Sequence, residues 1–150
     1  MERVDTDPGT FLAAIDDDEV RQAMIRLDEV IVAALPGRSR VLWEGTMWGG
    51  TEQSIIGYGD LVQPRPKGDD VEWFLVGLAR QKRNFSIYVN AAENGAYLGQ
   101  HFADRLATGR TKLKIGSASI GFGTLDDIEL EVLAELLARA DELTPPDERR

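Results

Sequence analysis

The feature that most limits the fold is a pair of apolar runs, residues 71–79 and 85–90, joined by the short basic segment 80–84. The first run is almost continuously apolar, which is typical of a central strand buried on both faces. The second alternates apolar and polar residues, as a strand with one buried face does. Together they predict an antiparallel hairpin, and a hairpin is stable only when a further layer covers its apolar face.

Helices predicted near the two ends of the chain can form this layer. Apolar residues of segment 17–35 recur at the i, i+3, i+4, i+7 spacing of a helix with one apolar face, and Asp16 or Asp17 can cap its first turn. Segment 125–142 has the same spacing, with Thr124 as its cap. We therefore predict an α+β fold, an antiparallel sheet with the N- and C-terminal helices packed on one face.

Weaker patterns fill the remainder of the chain. They predict a short helix at 10–15, two strands within 40–60 around a Gly49-Gly50 connection, a helix at 94–106 opened by Asn94-Gly95, a basic loop at 110–116 and a short strand at 118–122. With 150 residues, 43% of them hydrophobic, the chain is long enough for one domain with a sizeable core. We expect a single domain, 1–150, with its core at about 10–143 and a disordered charged tail at 144–150.

Composition excludes several classes of function. The chain has no cysteine, so disulfides, thiolate catalysis and cysteine-based metal sites are excluded. Its net charge of −9 argues against nucleic acid as a partner. No apolar run approaches the roughly 18 to 20 residues of a spanning helix, and the acidic N-terminus is unlike a signal peptide. These features predict a cytoplasmic protein without a membrane partner.

An ordered set of short motifs resembles the YdhG-like domains, also described as domain-of-unknown-function family 1801. The matching pieces are Met47-Trp48-Gly49, Ile55-Ile56-Gly57-Tyr58-Gly59, Trp73-Phe74-Leu75-Val76-Gly77-Leu78-Ala79-Arg80-Gln81-Lys82, Phe85-Ser86-Ile87-Tyr88-Val89, Lys114-Ile115-Gly116, Ser119-Ile120-Gly121-Phe122 and Leu125-Asp126-Asp127-Ile128. The resemblance covers roughly residues 10 to 141. It implies a frataxin-like fold, with two terminal helices on one face of an antiparallel sheet, and for one branch of the family a role as an iron chaperone.

The first candidate site is a small-molecule pocket in the glycine-rich part of the sheet. Trp48, Tyr58 and Trp73 can supply an apolar wall with polar edges, and Gln53 can supply an amide. Neighbouring glycines would leave space close to the backbone. The alternative is that these rings fill the core and the glycines let the strands bend.

A second candidate site is an acidic run at the start of the first long helix, at a place comparable to the acidic helix of frataxins. Asp16, Asp17, Asp18 and Glu19 could bind iron weakly through carboxylate oxygens. The alternative is helix capping and solvation, because consecutive helical residues point in different directions.

Two basic segments, 80–83 and 110–114, could form a small anion site if they meet in space, and otherwise are solvated turns. No nucleophile–base pair can be assembled, because cysteine is absent and His101 is the only histidine. The sequence therefore favours a non-catalytic domain without a cofactor that binds a small molecule or a protein. The alternative is a frataxin-like chaperone that binds iron weakly.

Overall fold

The computed structural model describes residues 1–46, 52–63, 68–69 and 71–147. Seven strands form one sheet in which every neighbouring pair is antiparallel. In sheet order they are β1 (Glu2–Arg3), β2 (Arg40–Thr46), β3 (Glu52–Gln63), β4 (Val71–Arg80), β5 (Phe85–Val89), β9 (Ser119–Phe122) and β8 (Lys114–Ile115). A separate small hairpin consists of β6 (Ala92–Glu93) and β7 (Ala96–Tyr97).

Five α-helices within these ranges accompany the sheet. They are α1 (Pro8–Ala13), α2 (Asp18–Ala34), α3 (Leu98–His101), α4 (Ala103–Leu106) and α5 (Leu130–Leu143), and a 3-10 turn (Leu125–Asp127) precedes α5. No helix of the described ranges is both long enough and apolar enough to cross a membrane.

The central hairpin has the predicted form. Strand β4 is the fourth of the seven strands and pairs with β5, with Val76 opposite Val89 and Leu78 opposite Ile87. Residues 74–79 are all buried, as expected for a strand covered on both faces. This prediction is confirmed.

Both predicted long helices are present and share one core with the sheet. The Asp17 side chain caps α2 by accepting a hydrogen bond from the Val20 amide at 3.0 Å. Leu27 of α2 and Leu136 of α5 are fully buried in the same cluster as Leu78. An α+β architecture with an antiparallel sheet is therefore confirmed.

The opposite face of the sheet has its own, smaller apolar cluster. Ile55 belongs to this second cluster, which also contains Trp43 and Phe74, whereas its neighbour Ile56 faces the helices. The alternation follows from the period of two along a strand.

The predicted helix at 94–106 is wrong in its first half. Asn94 and Gly95 have φ angles of 53° and 82° and form the turn between β6 and β7. Two successive positive φ angles are what a two-residue hairpin turn requires, and Asn-Gly is the pair best suited to it. Helical residues begin only at Leu98, in two short helices that are separated at Phe102.

Thr124 caps the 3-10 turn and not α5. Its amide donates to the Asp127 carboxylate at 3.1 Å, and the Asp127 amide lies against Thr124 in return, which is a capping box. Ile128 is then extended and forms a bridge with Ala107 before α5 begins at Leu130. The predicted start of this helix was therefore five residues early.

Within the predicted tail at 144–150, the structure describes residues 144–147, and Asp147 is bonded to the sheet region. The Asp147 carboxylate accepts hydrogen bonds from the amides of Ser39 at 2.6 Å and Asp60 at 3.0 Å, and from Arg38 at 3.2 Å. Burial alone would raise the pKa of this carboxyl, but these donors outweigh it and lower the pKa below its usual value. The last turn of α5 and the segment after it are thus fixed to the sheet.

Candidate functional site

The structure separates the residues predicted for the small-molecule pocket. Trp48 lies outside the described residues. Tyr58 is buried on the helix side of the sheet, whereas Trp73 belongs to the cluster on the opposite face. Tyr58 and Trp73 therefore do not line one cavity.

Tyr58 is held by a buried polar network. Its hydroxyl donates to the Asp28 carboxylate at 2.7 Å, and Arg40 donates to the same carboxylate at 2.9 and 2.7 Å. Burial, and then the negative charge of Asp28, raise the pKa of Tyr58 well above its usual value. The phenol fastens α2 to the sheet and offers no edge to a ligand.

This network predicts a stability effect for Tyr58→Phe. Loss of a hydrogen bond to a charged group should lower the free energy of unfolding by about 1.5–3 kcal/mol. Because the pKa of Tyr58 is raised by folding, its contribution is complete below about pH 10 and is lost as the pH rises further. Urea unfolding at pH 7 and at pH 10–11 should show a lower stability for the variant than for wild type. Between these pH values the variant should also lose less stability than wild type does.

Tyr97→Phe, at an exposed tyrosine, is the control and should match wild type at pH 7. Equal stabilities of Tyr58→Phe and wild type at both pH values would contradict the assignment.

The glycines of β3 and β4 leave no open space beside the aromatic rings. Gly57 lies opposite Gly77. A Cβ atom built at Gly57 would lie 2.6 Å from Nε1 of Trp43, and one at Gly77 would lie 2.5 Å from a ring carbon of Phe74. The rings therefore rest on the backbone itself, which is the packing alternative stated for these glycines.

Trp73 and Gln53 have local roles. Trp73 stacks on Phe74 with ring centroids 4.4 Å apart. Gln53 accepts a hydrogen bond from the Gln81 side chain at 3.2 Å, and Gln81 in turn accepts one from the Ser86 hydroxyl at 2.8 Å. These bonds connect β3 to the turn between β4 and β5 and hold that turn in place.

The four acidic residues predicted for iron do not converge. Asp17 caps α2, Asp18 forms an ion pair with Arg21, and Asp16 and Glu19 are exposed. Within the described ranges, no three or more histidine, aspartate or glutamate side chains are grouped so that they could hold a metal ion.

A different cleft lies at the end of the sheet beneath the first turns of α2. Two cavities of about 420 and 380 Å³ share Arg80 and Val20 in their walls, and we call the pair the Arg80 cleft. The larger cavity extends toward the segment after β9, and the smaller one extends toward α1 and β3. Both volumes suit a small organic molecule.

Arg80 is the unusual side chain of this cleft. Its guanidinium carbon lies 4.5 Å from the centroid of the Phe85 ring, in a cation–π contact. Its Nη1 atom is shielded from solvent and has no hydrogen-bond partner among the described residues. An unsatisfied buried donor costs about 1–3 kcal/mol, and more when it is charged, so native proteins rarely contain one.

Two other partly buried arginines, Arg38 and Arg40, have acceptors. Arg38 pairs with two carboxylates, and Arg40 donates two bonds to Asp28. Arg80 therefore differs from them in lacking an acceptor, although it lies beside two cavities that could admit one.

Of the two predicted basic segments, only the first contributes described residues to the walls of this cleft. Arg80 lines the larger cavity, whereas Arg110, from the second segment, forms a 3.0 Å ion pair with Asp126 of the cavity wall and does not line the cavity itself. Arg110 is thereby neutralised and Arg80 is not. Two further carboxylates, Asp17 and Glu19, line this cavity.

Comparison of the chain with protein-family models, with curated proteins and with solved structures gave no match. A function must therefore be inferred from the side chains of the chain itself.

Proposed function

We propose that the protein is a non-catalytic, YdhG-like domain with a frataxin-like fold that binds a small molecule in the Arg80 cleft through an anionic group of the ligand. The observation that carries the proposal is the Nη1 atom of Arg80, which is buried and has no acceptor among the described residues. The arrangement of α2 and α5 in one core with an antiparallel sheet supports the frataxin-like comparison.

An anionic ligand would satisfy Arg80 in a way that the described side chains do not. A guanidinium has five N–H donors in a planar fork that matches a carboxylate. Because Nη1 itself has no solvent contact, the guanidinium would have to turn for this atom to meet an acceptor in the cavity. Apolar atoms of the ligand could rest on Val20 and Phe85 in the larger cavity, or on Met24 in the smaller one.

The alternative of an iron chaperone has less support. It would require carboxylates that share one ion, and Asp17 and Asp18 are already engaged in a helix cap and an ion pair. Binding of a hard cation by the remaining exposed carboxylates would be weak and sensitive to salt.

The proposal is tested by mapping backbone amide shifts in a ¹⁵N–¹H NMR titration with 3-phenylpropanoate, a simple apolar carboxylate. We expect saturable shifts at residues 17–24, 80–85 and 123–126, with a dissociation constant on the order of millimolar for so small a ligand. Arg80→Met should abolish these shifts, and Arg83→Met, at an exposed arginine of the same turn, should preserve them. Saturable binding of equal affinity in wild type and Arg80→Met, or no binding to wild type of either 3-phenylpropanoate or its 2-amino analogue phenylalanine, would refute the proposal.

A further inference from the structure

The larger cavity of the Arg80 cleft has an unusual balance of charge. Three carboxylates, from Asp17, Glu19 and Asp126, line it together with the guanidinium of Arg80. Arg110 pairs with Asp126, so these five groups sum to −1. A ligand that carries only negative charge would approach Arg80 through a field of the wrong sign.

The wall of the smaller cavity has a net charge of the opposite sign. Arg80 and Lys82 oppose only Glu52 in its described wall, which gives +1. Arg80 lines both cavities, and the walls of the two cavities carry net charges of opposite sign. A ligand that occupies the larger cavity therefore needs a cation beside its anion.

We infer that the ligand of the larger cavity is a zwitterion of the amino-acid type, an inference that rests on the function proposed above. Its carboxylate would bind Arg80, and its ammonium group would face the carboxylates of Asp17, Glu19 and Asp126. Its side chain would lie on Val20 and Phe85, in a space of about 420 Å³.

Two features of the cavity support this choice over other small anions. A phosphate or dicarboxylate would add a second negative charge next to the carboxylates of Asp17 and Glu19, which form no ion pair with a cation of the described residues. A simple amine would satisfy the carboxylates and leave Arg80 without an acceptor. A ligand with both charges matches both parts of the wall.

Three probes with the same phenyl group separate these possibilities: phenylalanine, 3-phenylpropanoate, which lacks the amine, and 2-phenylethylamine, which lacks the carboxylate. We expect phenylalanine to bind about tenfold more tightly than either of the others, as one added charge-assisted contact allows. Its amide shifts should include residues 123–126, which border the larger cavity. Arg80→Met should abolish binding of phenylalanine.

Glu19→Gln is expected to change the affinities for phenylalanine and 3-phenylpropanoate differently. It should weaken binding of phenylalanine by about threefold at low salt, and should leave the affinity for 3-phenylpropanoate unchanged or raised, because it removes a negative charge from the wall. Glu29→Gln, at an exposed position further along α2, should change neither affinity.

The outcomes distinguish this inference from the proposed function. If 3-phenylpropanoate binds as tightly as phenylalanine and both depend on Arg80, the ligand is a simple anion, so the inference is overturned and the proposed function stands. If 2-phenylethylamine alone binds, without dependence on Arg80, both are overturned. If none of the three probes binds wild type, the proposed function fails and the inference fails with it.

Discussion

Leu136→Asp is expected to unfold the domain. Leu136 is fully buried in α5 and lies in the cluster that joins this helix to α2 and the sheet. The substitution removes an apolar side chain and places a carboxylate where none of the described basic groups pairs with it. Small domains have a total stability of about 5–15 kcal/mol, and an unpaired buried charge together with lost packing can consume most of it. Leu27→Asp, at the fully buried position on α2, should have the same effect.

Far-ultraviolet circular dichroism during heating and urea titration measures this effect. Leu143→Asp is the matched control, because Leu143 lies on the same helix but is 39% exposed, and we expect it to melt close to wild type. If Leu136→Asp and Leu27→Asp both melt like wild type, the packing of the two helices on the sheet is wrong.

Arg38→Met is expected to lower the free energy of unfolding by about 3–5 kcal/mol, because it leaves buried or partly buried carboxylates without their cation. The Arg38 side chain is only 6% exposed and pairs with Asp141 at 2.8 Å and Asp147 at 3.2 Å. It also donates to the carbonyl oxygens of Thr144 at 2.9 Å and Pro145 at 2.6 Å. One side chain therefore joins the segment just before β2 to the end of α5 and the residues that follow it.

Arg26→Met controls for loss of a charge alone. Arg26 is exposed and makes one long ion pair, at 3.5 Å, with Glu29, so its replacement should change stability by less than about 1 kcal/mol. Equal stability losses in Arg38→Met and Arg26→Met would show that the buried network contributes nothing.

The pKa of Asp147 is lowered by folding. The contribution of this carboxylate to the free energy of unfolding is therefore present above the ordinary aspartate pKa of about 3.9, and it is lost as the pH falls through the lower pKa of the folded state.

The elements that the sequence predicts well are those with strong periodicity. The apolar run of β4 and the helical spacing of α2 extend over ten or more residues, so local errors average out. Two of the shorter elements differ from the prediction for local reasons. The helix predicted to open at Asn94-Gly95 is wrong there, because this dipeptide most strongly favours a hairpin turn. At Thr124 the capping residue was right, but the turn that it caps is a single 3-10 turn.

The candidate site was harder to predict, because burial depends on which face of the sheet each residue occupies. Tyr58 and Trp73 have similar side chains and lie on opposite faces. The signal for Arg80 was nevertheless present. Val76 and Leu78 face the helices, and Arg80 lies two residues beyond Leu78 on the same strand. Because side chains alternate between the two faces of a strand, the sequence pattern places Arg80 on the face that carries these buried residues. Only the structure shows that Nη1 of Arg80 has no acceptor among the described residues.

The most direct test of the account combines stability with binding in Arg80→Met, with Arg83→Met as the control. If Arg80 serves to bind a ligand, methionine should keep the contact with Phe85 and remove a guanidinium whose Nη1 atom is buried without an acceptor among the described residues. The free energy of unfolding without ligand should then rise by about 1 kcal/mol, and calorimetric binding of 3-phenylpropanoate and phenylalanine should be lost. A variant that is destabilised and still binds either molecule with wild-type affinity would contradict the account.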